Sequence, residues 1–432
     1  MNTKKISKII PIVLSMNFLM PMTSYASNLT LEDAIESAIQ HNLGLESTRM
    51  NEYSAQANLR KTKGEAGFTV SVSDNINFSK QENNDGSSTN SLSLGGKYSL
   101  YDGGKNKNNI KNSEMNIDIA ELQTEKATSD LVMNVSKAYY DAMEARDTVK
   151  VNQDTVKNYI AHLDNVQKLF IGGAKARVDV LRTEVELANA KQNLTKAQVN
   201  YDTKMAILMN YMQDKTKENP TLTSAVVATP ITNDLNYYLD YAKRNNSTLK
   251  IDQYKIEQAK LNLDSAKAEN KPNVDFSASV GKSFDVYNSR TGEANFTSGI
   301  SIGWNIFDSG VTKANIDEKS ISLHNAMLNM LNDEQSINLN VKSSYLNLIE
   351  AKSRFESTSK AIQKAEEDYR IALVKYTAGE GLLLDIIDAQ VALSTAKLNF
   401  CNAQYDYARH KTELDNAIGL SDFDDFVKKG SM

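Results

Sequence analysis

The chain repeats its own pattern at an offset of 206 residues, and this repeat restricts its possible folds more than any other feature. The segment "LYDGG" at 100–104 corresponds to "IFDSG" at 306–310, and both stand where alternating residues give way to a long helical pattern. The register needs no gap from about Leu43 to Tyr201, and further matches are Tyr139 with Tyr345, Phe170 with Tyr376, Asp179 with Asp385 and Leu187 with Leu393. An offset kept through several changes of pattern indicates duplication of one structural unit.

The repeat divides the chain into two units of similar size. We expect a signal peptide at 1–26, a first repeat at 27–212, a linker at 213–233, a second repeat at 234–420 and a tail at 421–432. The linker contains Pro220 and Pro230, which are typical of a connecting segment. Each repeat is expected to contain an opening helix, a β-hairpin (68–101 and 274–307) and a long helical hairpin (105–211 and 311–418).

The first 26 residues have the pattern of a secretory signal peptide. Three lysines within the first eight positions precede the apolar run "IIPIVLSMNFLM", and "SYA" at 24–26 provides small residues for cleavage. The alternative is a permanent membrane anchor, which the short run and Pro11 disfavour because a spanning helix needs about 20 apolar residues. We therefore expect the chain to be exported.

Composition argues against a nucleic-acid-binding protein and against an enzyme. The net charge of −5 becomes −8 when the three signal-peptide lysines are removed, whereas nucleic acids require a basic surface. Cys401 is the only cysteine, so no intrachain disulfide can form. The histidines are interpreted as surface residues without the spacing of metal ligands, and they are His41, His162, His324 and His410. We expect no catalytic, cofactor-binding or metal site.

Two segments of each repeat alternate apolar and polar residues, as β-strands do. One expected face is apolar and contains Phe68, Val70, Val72, Ile76, Phe78, Leu92, Leu94, Tyr98 and Leu100 in the first repeat, and Val274, Phe276, Val280, Ile300, Ile302, Trp304 and Ile306 in the second. The opposite face consists mainly of Ser, Thr, Asn and Gly. This pattern is typical of transmembrane strands, and a soluble hairpin packed on the helices is the alternative. Four aromatic residues at one end of the strands would lie at the membrane interface: Tyr98, Tyr101, Trp304 and Phe307.

The segments after the two corners predict unusually long helices. The helical pattern from Lys105 to Phe170 would extend about 100 Å if unbroken, and a second helix returns beside it. Alanine recurs at coiled-coil spacing, which favours close packing between neighbouring helices. The expected fold is a mixed α/β membrane protein with a long antiparallel α-helical coiled-coil barrel and a transmembrane β-barrel of four strands per chain.

Four membrane strands cannot close alone, and lipid tolerates no open sheet edge. Two chains would give eight strands, whose interior is filled by side chains, whereas three chains give twelve strands and leave a lumen. The pattern therefore favours a homotrimer that encloses a pore.

With these features, the chain resembles the TolC family of outer-membrane efflux channels over nearly all of its mature length. The resemblance rests on "LTLEDAIESAIQHN", on the "LYDGG" and "IFDSG" corners, and on two helical tip segments, "FIGGAKARVDVLRTEVELANAK" and "YTAGEGLLLDIIDAQVALSTAK". It implies a trimeric channel-tunnel in the outer membrane of a Gram-negative-type cell, extending into the periplasm. Its implied partners are a periplasmic adaptor protein, an inner-membrane transporter and outer-membrane lipid, in drug efflux or type I secretion. The alternative is an exported structural coiled-coil surface protein or adhesin.

The resemblance also implies a constriction at the periplasmic tip. Matched turn to turn, the family's aspartates correspond to Asp385 and Asp388, and its latch pair corresponds to Tyr376 and Asp179. The family's best-known member has an arginine where this chain has Gly381, and Arg177 or Lys175 are candidates for the missing cation. The alternative is that both aspartates are solvated residues stabilised at a helix start. The expected adaptor-contacting residues, interpreted as exposed, are Gly173, Val180, Leu181, Gly379 and Ile386.

Overall fold

The computed structural model describes residues 28–79, 87–213, 220–223, 231, 233–285 and 290–420. The expected signal peptide, the expected tail and most of the linker lie outside the described residues. The elements of the first half are β1 (Asn28–Leu29), α1 (Leu31–His41), α2 (Leu43–Glu65), β2 (Thr69–Ser79), β3 (Ser87–Tyr101), α3 (Lys105–Ile171) and α4 (Arg177–Met212). Those of the second half are β4 (Thr221–Leu222), α5 (Leu235–Asn245), α6 (Ser247–Lys267), a 3₁₀ turn (Ala268–Asn270), β5 (Asn273–Asp285), β6 (Arg290–Gly303), α7 (Val311–Thr377) and α8 (Leu383–Ala417).

The two halves contain the same elements in the same order, but their offset is not constant. The long helices α3 and α7 are both 67 residues long and begin 206 positions apart. Before the corners the offset is 204, since Asn42 and Asn246 cap equivalent helices and Thr69 and Asn273 begin equivalent strands. The gap-free register expected from Leu43 is therefore wrong in this region, because the strands and their connections differ in length between the halves.

Asparagine divides the opening helical segment of each half into two helices. The extended backbone of Asn42 ends α1, and its side-chain Oδ1 accepts hydrogen bonds from Gly44 N (2.9 Å) and Leu45 N (3.1 Å). Thr30 begins α1 with a capping box, in which its hydroxyl accepts from Asp33 N and the Asp33 carboxylate accepts from Thr30 N. The single opening helix expected from the sequence is therefore two helices, because the Asn42 cap starts a new one.

The strands form one four-stranded antiparallel sheet in the order β2-β3-β5-β6. Its register aligns Val72, Leu94, Val280 and Phe296 across all four strands on one face, and aligns Ser73, Ser93, Gly281 and Asn295 on the other. Strand β6 ends at Gly303, so the alternation expected to continue to Ile306 stops three residues earlier. The sheet therefore has one apolar face and one polar face, with β2 and β6 at its edges.

The helices pack as two long hairpins, α3 with α4 and α7 with α8, and α3 also packs against α8. An apolar cluster surrounds the middle of α3 and includes Leu29, Ile35, Val135, Tyr139, Leu208 and Met212. The short parallel pair β1–β4 is tied to this cluster because Tyr139 Oη donates to the Leu29 carbonyl oxygen (2.9 Å). Within the described ranges, no helix combines the length and the apolar character that a membrane crossing requires.

Aspartates end the extended segments and begin the long helices. The two carboxylate oxygens of Asp102 accept from Gly104 N (2.9 Å) and Asn106 N (2.6 Å). Asp308 does the same for Gly310 N (3.0 Å) and Thr312 N (2.7 Å). These bonds satisfy backbone donors in the first turns of α3 and α7, which otherwise lack partners. The two corners thus fix where the sheet gives way to the helical hairpins.

Candidate functional site

The candidate site lies where the two helical hairpins turn, at the ends of α3 and α7. Each turn contains a glycine with a left-handed backbone, Gly173 (φ 75°) and Gly379 (φ 83°). Both donate to a carbonyl oxygen of the preceding helix, Gly173 to Phe170 (2.9 Å) and Gly379 to Tyr376 (3.0 Å). Glycine is required at these positions because other residues are strained in this conformation.

Gly381 has a steric role in the second turn. A Cβ atom at this position would lie 2.9 Å from the backbone nitrogen of Tyr376 and 3.1 Å from the carbonyl carbon of Lys375. The Gly381 N–H also donates to the Lys375 carbonyl oxygen (3.0 Å). No side chain fits here without movement of the backbone, so the turn itself excludes the arginine that the resemblance would place at this position.

Of the two candidate cations, the structure brings Lys175 to Tyr376. The Nζ atom of Lys175 lies 4.4 Å from the centre of the Tyr376 ring, within the range of a cation–π contact. Arg177 is exposed at the first position of α4. Lys175 therefore connects the α3–α4 turn to the last turn of α7.

Tyr376 is fully buried, but it does not form the hydrogen bond that the latch pair implies. Its Oη has no hydrogen-bond partner among the described residues. Burial raises the pKa of Tyr376, and the negative charge of Asp179 raises this pKa further. Asp179 thus acts on Tyr376 through its charge and accepts no hydrogen bond from the tyrosine.

Asp385 and Asp388 are exposed on the first turns of α8. They are three positions apart and so share one side of the helix. The Asp385 carboxylate accepts from Leu382 N (3.2 Å), which stabilises the helix start. Both carboxylates are therefore exposed to solvent in the single chain. Asp385 also caps the start of α8.

The residues expected to contact an adaptor have different environments. Gly173, Leu181 and Gly379 are exposed, and Val180 is half-buried. Ile386 is 1% exposed and packs in a cluster between the hairpins with Val166, Ala372, Tyr376, Leu383 and Ala389. The expectation that Ile386 is exposed is wrong, because α8 turns this position towards α3 and α7.

His162 was also misjudged from the sequence, which suggested a surface histidine. It is 4% exposed, and its ring centre lies 5.3 Å from that of Tyr376. Polar residues are common around His162 on α3, and they obscure its burial, which results from contact with Tyr376 of α7. The sequence did contain a signal for this burial. His162 lies three residues after Tyr159 and four before Val166, so the three share one face of α3, and all three are buried.

The four aromatic residues expected at the membrane interface are exposed at the end of the sheet that joins the helices. Tyr98 and Tyr101 lie in the last part of β3, and Trp304 and Phe307 follow β6. The indole Nε1 of Trp304 donates to the Asn270 carbonyl oxygen (3.0 Å), which fixes the ring against the turn before β5.

A charged network, not foreseen from the sequence, joins the two repeats far from the tips. Arg409 of α8 pairs with Asp141 (2.8 Å) and Glu144 (2.7 Å) of α3 and with Asp406 of its own helix. Lys204 of α4 also reaches Asp141 (2.8 Å), and Arg354 of α7 reaches Asp406 (3.0 Å). The six side chains carry three charges of each sign and connect α3, α4, α7 and α8.

Comparison with known proteins gives one family. The family model described as outer membrane efflux protein matches residues 34–212 and 238–420. The outer membrane protein TolC of Escherichia coli K12 is 22% identical over 317 residues, which are 71% of this chain and 64% of TolC. Nodulation protein T of Rhizobium leguminosarum bv. trifolii is 23% identical over 417 residues, which are 93% of this chain and 87% of the relative. The alignments thus span less than two thirds of the matched TolC proteins.

Solved structures share the fold. The Campylobacter jejuni CmeC outer membrane channel superposes with a TM-score of 0.78 at 15% identity, covering 97% of this chain and 98% of CmeC. At this identity the likeness establishes the arrangement of the helices and strands.

Proposed function

The chain belongs to the outer membrane efflux protein family, and on this premise we propose that three copies form a channel through the outer membrane. The channel would be the exit duct of a tripartite efflux pump or of a type I secretion system. It would be a passive conduit without a catalytic step, gated at its periplasmic tip. We propose the same division into two repeats that the sequence suggested, with the sheet in the membrane and the long hairpins in the periplasm.

The observation that carries this proposal is the exposed apolar face of the four-stranded sheet. Six of its large apolar side chains are more than 60% exposed in the single chain: Val70, Val72, Phe78, Phe296, Ile300 and Ile302. Such a surface is unfavourable in water and favourable in lipid. The opposite face of Ser, Thr, Asn and Gly suits a water-filled lumen. Pairing β2 of one copy with β6 of the next would remove both edges, as lipid requires.

The helical surface supports association of several copies. Exposed apolar side chains follow one side of α7 at spacings of three, seven and eight residues, and they are Ile321, Leu328, Leu331, Leu339, Leu346 and Ile349. This stripe lies on a helix that begins directly after the sheet, so copies joined through their sheets would also meet along it.

We propose that the tip carries the gate. Three copies of Asp385 and Asp388 would place six carboxylates around one axis, which would attract cations. Tyr376, Lys175 and Asp179 would hold the α7–α8 hairpin against the α3–α4 hairpin in the closed state. Gly173, Val180, Leu181 and Gly379 remain the proposed contacts with a periplasmic adaptor, which would in turn connect to an inner-membrane transporter.

Fractionation of cells that express the full chain tests this proposal. We expect the protein in the outer-membrane fraction, cleaved near residue 26, and as a trimer that persists in mild detergent. Recovery as a soluble, extended dimer would contradict the channel and favour the structural coiled-coil protein considered above.

A further inference from the structure

The contact between His162 and Tyr376 joins the two hairpins without any hydrogen bond. His162 belongs to α3 and Tyr376 to α7, and their rings meet edge to face with an interplanar angle of 63°. Neither ring nitrogen of His162 has a hydrogen-bond partner among the described residues, and the same holds for Tyr376 Oη. We call the group of His162, Tyr376 and Lys175 the tip contact.

The surroundings of His162 are apolar on the side of the tip. Val166 lies one turn further along α3, and Leu383 and Ile386 of α8 belong to the same buried cluster. Polar contacts between α3 and α8 begin on the other side, where Asn158 Nδ2 donates to Gln390 Oε1 (3.0 Å). A buried neutral imidazole is tolerated in such a place, but a buried imidazolium without an acceptor is costly.

The charged and titratable groups near the tip contact do not compensate a positive His162. On its own helix Tyr159 lies one turn away, and on α4 Glu186 acts on Tyr159 while Asp179 acts on Tyr376. On α7 Tyr369 is half-buried in the adjoining cluster, and on α8 Asp385 and Asp388 are exposed. Lys175 already places one cation at the Tyr376 ring. Burial alone lowers the pKa of His162 from its ordinary value of 6.5.

We propose that the tip contact is pH-sensitive, and that protonation of His162 loosens the α7–α8 hairpin from the α3–α4 hairpin. The neutral form fits the closed contact, whereas the charged form is better solvated when the hairpins separate. The contact is therefore at full strength above about pH 6.5, the ordinary value for a solvated histidine, and weakens as the pH falls below it. The effect of this loosening on ion flow rests on the proposed channel function.

Hydrogen exchange of the purified full chain in detergent tests the contact directly. After correction for the intrinsic exchange rate, we expect amides in the last turns of α7 and the first turns of α8 to lose protection between pH 7.5 and 5.5. Because a single group titrates, the corrected exchange rate of these amides can change by up to about tenfold per pH unit. In His162→Phe this pH dependence should disappear, because the apolar contact stays and the titrating group is gone. His41→Gln, at the exposed end of α1, is the matched control and should behave as the wild type.

Several outcomes would overturn the proposal. One is equal tip protection of the wild type at both pH values, and another is wild-type pH dependence in His162→Phe. His162→Leu gives the same comparison if the phenylalanine variant does not fold, and Tyr376→Phe should keep the pH dependence because it retains His162.

Conductance of the same proteins in a planar bilayer separates the two proposals. Tip exchange that responds to pH without any conductance would contradict the channel and support the pH-sensitive contact.

Discussion

At the scale of single residues, Arg409 connects carboxylates of two helices from a mostly buried position. Its side chain is 15% exposed and pairs with Asp141 and Glu144 of α3 and with Asp406 of α8. Burial already raises the pKa of Glu144, and the pairing with Arg409 opposes this rise. Removal of the guanidinium would therefore leave the half-buried Glu144 without its counter-charge, and would leave Asp141 and Asp406 with only Lys204 and Arg354 as their cation partners among the described residues.

We expect Arg409→Met to lower the free energy of unfolding by roughly 3 kcal/mol. The measurement is the thermal unfolding midpoint of the purified protein in detergent. Arg370→Met is the matched control, because among the described residues Arg370 pairs only with Glu367, on the exposed side of α7, and the loss of this pair should cost much less stability. Equal effects of the two substitutions would show that the network adds nothing beyond surface ion pairs.

Glu413 gives a prediction about acid stability. Hydrogen bonds from His410 and Lys137, together with their charge, lower the pKa of Glu413 to about 2, although burial opposes this shift. A lowered pKa in the folded state means that the stabilisation is present above the ordinary value of 4.5 and is lost as the pH falls through about 2. We expect Glu413→Gln to be less stable than the wild type at pH 7 and to lose less stability between pH 4.5 and 2. Parallel unfolding curves across this range would contradict the assignment.

At the scale of elements, Gly381 determines the geometry of the α7–α8 turn. Gly381→Ala would place a methyl group against the backbone of Lys375 and Tyr376, at an expected cost of about 1–3 kcal/mol. Gly64→Ala is the control, because a Cβ there meets nothing within 4 Å and alanine is a better helix former than glycine at this position in the last turn of α2. Thermal unfolding of both variants checks the difference. A tolerated Gly381→Ala would mean that the turn adjusts and that the arginine of the family could be accommodated.

Much of the element order could be predicted from the sequence because periodicity reports it directly. The alternation from Phe68 to Leu100 and the aspartate corners correspond to β2, β3 and the starts of α3 and α7. The break at Asn42 was missed because a single capping side chain decides it within an otherwise continuous helical pattern. The burial of Ile386 and His162 was missed because it depends on contacts between α3, α7 and α8, which no single helix encodes.

At the tip, too, the sequence identified candidate residues but not the contacts between helices. The family resemblance placed Tyr376, Asp179 and the two aspartates of α8 near the turns, because the turn segments of this chain match those of the family. It gave Arg177 or Lys175 as the missing cation and favoured Arg177 as a gate residue, whereas the packing of the α3–α4 turn against α7 brings Lys175 to Tyr376. Exposure of side chains on α8 likewise follows from the neighbouring helices.

At the scale of the whole molecule, the apolar stripe on α7 predicts how the proposed trimer is held together. We expect Leu339→Asp, at a position that is 70% exposed in the single chain, to convert the trimer into smaller species because the charge would be buried between copies. Light scattering coupled to size-exclusion chromatography measures the mass. Asn347→Asp, exposed on another side of the same helix, should leave the trimer unchanged. A stable Leu339→Asp trimer would place the interface elsewhere.

The central claim is that three copies form a pore that is narrowest at Asp385 and Asp388. The most direct measurement is the single-channel conductance and ion selectivity of the purified trimer in a planar lipid bilayer. We predict a small, cation-selective conductance that rises and loses selectivity in the double variant Asp385→Ala with Asp388→Ala. An unchanged conductance in this variant would contradict the constriction, and the absence of any conductance from inserted trimers of both proteins would contradict the channel itself.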